Sequence, residues 1–112
     1  MKIIATDFDG TIVKDAYPGI GEINTGTVNY LKALKSYGCK LILWTCRSGK
    51  QLEEALELCD KLGLEFDAVN DNLPEIVEKY GNNSRKIFAD IYLDDRSFIP
   101  AEVYYENVEK AS

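Results

Sequence analysis

Short unbroken apolar runs alternate along the chain with stretches of helical periodicity. Residues 2–6, KIIAT, are apolar until the end, as in a buried strand that delivers its last side chains to a site. From Asn24 to about Tyr37, Val28, Leu31 and Leu34 recur at helical spacing. Asn24 or Thr25 stands where an N-cap is needed, and Gly38 follows as a stop. KLILW, 40–44, predicts a second strand. After TCRSG, Leu52, Ala55, Leu56, Cys59 and Leu62 make a helical stripe ended by Gly63. EFDAV, 65–69, is a weaker third strand, and NDNLPEIVEKYG places Pro74 in a first helical turn and Gly81 at the C-terminal end. IYLDD, 91–95, repeats the opening pattern of apolar residues and then two carboxylates. Residues 101–112 fit a short final strand or helix equally. No internal repeat, low-complexity segment or linker interrupts the pattern.

Strands alternating with helices predict a doubly wound parallel α/β sheet, three layers thick. In such a sheet right-handed crossovers bring every strand's C-terminal end to one edge, and ligands bind there where the strand order reverses. Asp7 and Asp9 end the first strand, Thr45 the second, and Asp94 and Asp95 the last. If the first and last strands are neighbours, four acids and a threonine meet at that edge.

Composition narrows the chemistry. The 112 residues suit one domain, 1–112, and 46% hydrophobic with 29% charged residues mark a soluble globular chain rather than a disordered one. A net charge of -6 disfavours a nucleic-acid backbone or an anionic membrane as partner, so an anionic substrate must be met locally. Three cysteines without a CxxC spacing, and no signal-peptide pattern, fit a reducing cytoplasm. No apolar run approaches the roughly 20 residues of a membrane-spanning helix. Histidine is absent, which removes Ser-His-Asp and Cys-His catalysis and every imidazole metal site.

What remains is chemistry on carboxylates, lysine, hydroxyls or thiols. Like charges as close as Asp7 and Asp9 need a compensating charge or a titrating group between them, and Mg²⁺ suits such an oxygen-rich cluster. A carboxylate can attack phosphorus and form an aspartyl-phosphate, while a second can protonate the leaving oxygen and later activate water. Asp7 is the expected nucleophile and Asp9 the expected acid and base. Gly10 lets the chain turn sharply so that backbone N–H groups there and at Thr11 face a phosphate. Thr45, the Cys46 N–H and a lysine would hold the remaining phosphoryl oxygens. Arg47, beside them, reads either as a surface ion pair or as a substrate clamp, and we place it with the substrate-binding residues.

Competing motifs fail. Cys46 lacks the arginine six residues later that a cysteine phosphatase loop needs; Leu52 stands there. RSGKQ and PGIGEIN miss the P-loop and dinucleotide patterns, and Ile12 occupies the glycine position of an EF-hand counted from Asp7. Trp44, Cys39 and Cys59 read as packing residues. Asp94 and Asp95 can alternatively cap the next turn or pair with Arg96.

DFDGT, LILWT, Lys86 and LDD resemble, in order, the four motifs of the haloacid dehalogenase superfamily, and together they span residues 3–95. The resemblance implies a Rossmann-like fold and a Mg²⁺-dependent phosphohydrolase. By it, Asp7 and Asp94 would bind the metal by side chain, Asp9 by its backbone carbonyl, and Asp95 through a metal-bound water. The short interval from Thr11 to Lys40 resembles the subgroup without a cap domain. Such an open site favours a phosphorylated macromolecule or a lid lent by a partner, alongside phosphorylated small molecules; a homo-oligomer is compatible with it.

Lys86 poses a geometric condition. On one straight strand it would lie about 26 Å from Asp94 at about 3.3 Å per residue. The segment must therefore bend near Ala89 and Asp90; without a bend, Lys50 is the substitute. Two other functions share the composition: a non-catalytic module binding a phosphorylated ligand or a protein, and a receiver-like phosphoacceptor domain. Receivers resemble this chain less, because they carry the phosphorylated Asp after the third strand, where VNDN stands here.

Overall fold

The first strand, β1 (Ile3–Thr6), is buried along its whole length, as an uninterrupted apolar run requires if both faces of its sheet are covered. The computed structural model describes residues 2–97, and the expected element at 101–112 lies outside them. Along the described chain follow α1 (Thr25–Ser36), β2 (Lys40–Leu43), α2 (Gly49–Lys61), β3 (Ala68–Val69), α3 (Pro74–Tyr80) and β4 (Ile91–Leu93). All pairings are parallel and the order is β3-β2-β1-β4.

Alternation along the strands divides the core in two. Ile4, Leu41 and Leu43 pack with Val28 and Leu31 of α1 and with Ala55 and Cys59 of α2. Ile3, Ala5 and Ile42 face the other way, against Leu73, Ile76 of α3 and Ile87. The chain steps outward from β1 to β3 and then returns past β1 to β4. A single crossover hand therefore requires α3 on the face opposite α1 and α2, as found. Truncating a fully buried residue such as Leu31 or Leu41 to alanine would cost about 2–5 kcal/mol. Among the described residues no cap domain interrupts these connections, and no helix is long and apolar enough to cross a membrane.

The third strand is shorter than its apolar pattern predicts. The Asp67 carboxylate itself accepts the Leu41 N–H at 2.8 Å, replacing the carbonyl that a longer strand would offer. Its own N–H still donates to Leu41 O at 2.7 Å. Between β1 and α1 the chain forms a flap. Lys14 N–H donates to Glu22 O and Asn24 N–H to Ile12 O, both at 2.8 Å, with Asp15, Tyr17, Pro18 and Gly19 at its tip. Gly21 permits this closure, since a Cβ there would lie 1.9 Å from Lys14 O.

Candidate active site

Register carries the functional residues to one level. Thr6 pairs with Leu43 and with Leu93, and Leu43 pairs with Val69, so Asp7, Trp44, Asn70 and Asp94 emerge side by side at the C-terminal edge. The strand order reverses at β1, with β2 on one side and β4 on the other, which is where a parallel sheet opens a crevice. A cleft of about 720 Å³ lies there, lined by Asp7, Asp9, Thr45, Cys46, Arg47, Asp94 and Asp95, and also by Asp15, Tyr17, Trp44, Asn70 and Arg96.

Asp7, Asp94 and Asp95 each offer a carboxylate oxygen within 4.8 Å of the others. Burial above all, then the charges of Asp94 and Asp95 and a hydrogen bond with Asp95, push the Asp7 carboxyl from its ordinary 3.8 up to about 6, against the lowering effect of the Phe8 N–H. Among the described residues no basic side chain pairs with them, and three hard oxygen donors so placed could hold a divalent cation. Asp94 also caps the turn that follows, because its Oδ1 accepts the Arg96 N–H at 2.8 Å. Capping and clustering thus coexist in one side chain. Arg96 lines the cleft but pairs with neither acid among the described residues.

Thr45 is oriented from both sides. Its N–H donates to Asn70 Oδ1 at 2.7 Å, and its Oγ1 accepts the Arg47 N–H at 3.1 Å. Cys46 follows, exposed, and Trp44 both packs on the second core cluster and lines the cleft. Cys59 is the packing residue expected of it, buried and with its thiol pushed up to about 11 by that burial, while Cys39 is half-buried.

Several expectations are corrected. The turn after Asp9 does not present N–H groups to a ligand. Gly10 N–H donates to Val13 O, and the N–H groups of Thr11, Ile12 and Val13 all turn to Phe8 O. Gly10 serves close approach instead: its φ is +86°, and a Cβ there would lie 2.1 Å from Asp95 Oδ2. Gly10 and Thr11 line a neighbouring depression with Asp94 and Asp95, and the buried Thr11 Oγ1 has no partner among the described residues.

Arg47 is neither a surface ion pair nor a free clamp. It is 1% exposed, and its Nε and Nη2 donate to the two oxygens of Asp9, both at 2.7 Å. Its pKa is raised first of all by that bond. The 86–94 segment does bend, at Asp90, whose carboxylate and N–H both bind the backbone of Ile3 at the far edge. Yet Lys86 does not line the cleft, and neither does Lys50. Ile87 is buried in the second cluster, so its neighbour Lys86 alternates outward and keeps its ammonium in water.

Sequence reading missed Asn70, Asp15 and Tyr17. Asn70 holds at β3 the position that Asp7 holds at β1, which strand alignment alone could have indicated. The flap residues have no local signal, because their placement depends on how the flap folds back.

No family model and no curated protein matches the chain. Among solved structures, a conserved protein from Bacteroides thetaiotaomicron is 41% identical, with a TM-score of 0.77 over 99% of this chain and 92% of that one. At that identity and coverage, the chain belongs to the same family as the conserved Bacteroides thetaiotaomicron protein.

Proposed function

We propose that the protein is a Mg²⁺-dependent phosphomonoester hydrolase of the haloacid dehalogenase type, with a Rossmann-like fold, acting through an aspartyl-phosphate. The observation that carries this reading is the convergence of Asp7, Asp94 and Asp95 on one point of the sheet edge, with Asp7 raised to about 6. The order of the four motif-like segments supports it.

Asp7, Asp94 and Asp95 would hold the cation, which when bound neutralises phosphoryl oxygens and the clustered carboxylates. An Asp7 carboxylate oxygen attacks phosphorus, and the bond from phosphorus to the leaving oxygen breaks. Asp9 delivers a proton to that oxygen. In the second half Asp9 takes a proton from water, the water oxygen bonds to phosphorus, and the phosphorus–Asp7 bond breaks to release inorganic phosphate. Each Asp9 oxygen keeps a second lone pair beside the bond from Arg47, and a proton carried on one of them is the proton that Asp9 delivers in the first half and regains from water in the second. Thr45 stands at the same edge to hold a phosphoryl oxygen.

A second reading is a binding module for a phosphorylated ligand on the same fold. It is favoured by the engagement of both Asp9 oxygens and by the absence of lysine from the cleft lining among the described residues. Hydrolysis of p-nitrophenyl phosphate, with Mg²⁺ and with chelator, separates the two. The hydrolase reading expects Mg²⁺-dependent turnover, whereas phosphate binding without turnover of this or any screened phosphomonoester supports the module.

A further inference from the structure

One guanidinium holds both the Asp9 carboxylate and the tip of the flap. Beyond its two bonds to Asp9, Arg47 donates from Nη2 to Gly19 O at 2.5 Å and from Nη1 to Pro18 O and Gln51 O at 3.3 and 3.4 Å. Arginine has five N–H donors, and the two bonds to Asp9 with these three use all of them. The guanidinium carbon also lies 5.0 Å from the Phe8 ring centroid and 5.1 Å from that of Tyr17. Phe8 sits between the two acids of the first strand's end, and Tyr17 belongs to the flap. A buried charge so fully partnered ties together the end of β1, the flap tip and the first turn of α2.

We propose that Arg47 is a positioning residue that couples seating of the flap to orientation of Asp9. This rests on the reading of Asp9 as the acid and base. The geometry makes the two events one: the guanidinium cannot reach the Pro18 and Gly19 carbonyls and both Asp9 oxygens unless flap and carboxylate are in place together. Lysine cannot substitute, because a single ammonium cannot span a two-oxygen face and two carbonyls. When the flap lifts, Arg47 loses its flap carbonyls and the Tyr17 ring, and Asp9 is freed to turn. When it seats, Asp15 and Tyr17 come to the cleft with Asp9 fixed beneath them.

Hydrogen exchange tests the coupling without reference to turnover. In Asp9→Asn and in Arg47→Lys, the flap amides of Lys14 and Asn24 should exchange about tenfold faster or more, the scale of losing a hydrogen bond to a charged group. Amides of β1 and β2 should keep their protection. Unchanged flap exchange in Asp9→Asn, or an equal rise throughout the sheet, would overturn the proposal; the second result would make the pair merely part of global stability. Steady-state kinetics on p-nitrophenyl phosphate add the second arm. Arg47→Lys should lower kcat with little change in KM, and adding Arg47→Lys to Asp9→Asn should cause almost no further loss. A raised KM with kcat intact would mean that Arg47 grips substrate directly, contrary to the proposal. If the wild type hydrolyses no phosphomonoester, the hydrolase reading fails, while the exchange arm still decides the coupling.

Discussion

Apart from Asp9, which Arg47 holds, the two edges of the one sheet treat their carboxylates in opposite ways. At the N-terminal edge Asp67 accepts the Leu41 N–H, pairs with Lys35 at 2.7 Å and lies 3.7 Å from Lys40, while Asp90 accepts the Ile3 N–H. Despite the opposing cost of burial, these partners hold the Asp67 carboxyl below the ordinary carboxylate range. At the C-terminal edge Asp7, Asp94 and Asp95 crowd together with no basic side chain paired to them among the described residues, and Asp7 is pushed up. The same residue type thus stabilises the fold at one edge and carries a standing electrostatic cost at the other. Beyond the turn that Asp94 caps, folding gains little from the second arrangement, and a bound cation would relieve it.

Substitutions should separate the edges cleanly. Asp7→Asn should cut turnover by about 10³-fold or more, as loss of a nucleophile does, while raising the unfolding midpoint at neutral pH by relieving repulsion. Steady-state rates and urea titrations on one preparation read both effects. At the other edge Asp67→Ala should leave turnover near wild type and cost about 1–3 kcal/mol, because the Leu41 N–H loses its acceptor. A smaller loss of about 1–2 kcal/mol is expected for Gly10→Ala, from the left-handed backbone. That variant should also lose the Mg²⁺-dependent rise in Tm, since the added methyl displaces Asp95.

The two edges should differ in pH slope as well. With a folded pKa raised from 3.8 to about 6, Asp7 contributes stability that is fully present below 3.8 and is lost as pH rises through about 6. Asp67, shifted downward, contributes stability that is present above 3.8 and is lost as pH falls through its lowered folded value. Urea midpoints measured without divalent ions from about pH 4 to about pH 7 should therefore fall in wild type and flatten in Asp7→Asn. Under the proposed metal role, Mg²⁺ would compete with the proton at Asp7, and its stabilisation should then grow over the same range.

Much of this edge was legible in the residue order, because parallel topology is governed by rules that act on whole strands. Alternating runs and helical stripes placed Asp7, Thr45 and Asp94 at one edge, and β1 does pair with β4. What escaped depends on local hydrogen bonding or on folding at a distance. The turn from Gly10 to Val13 bonds inward on itself, against the expectation of exposed N–H groups. Arg47 took its place from the flap, whose tip is brought back by side chains rather than by any periodic signal. Lys86 was carried outward by the burial of Ile87, a packing preference that motif spacing does not encode.

The proposed reaction requires Asp7 to carry the phosphoryl group during turnover. Wild type mixed with p-nitrophenyl phosphate and Mg²⁺ and quenched in acid within one turnover can be digested and its peptides examined by mass spectrometry. One phosphoryl group on Asp7, absent from the Asp7→Asn protein, is the expected result. Steady turnover with Asp7 unmodified, or with the phosphoryl group on another side chain, would rule out Asp7 as the nucleophile.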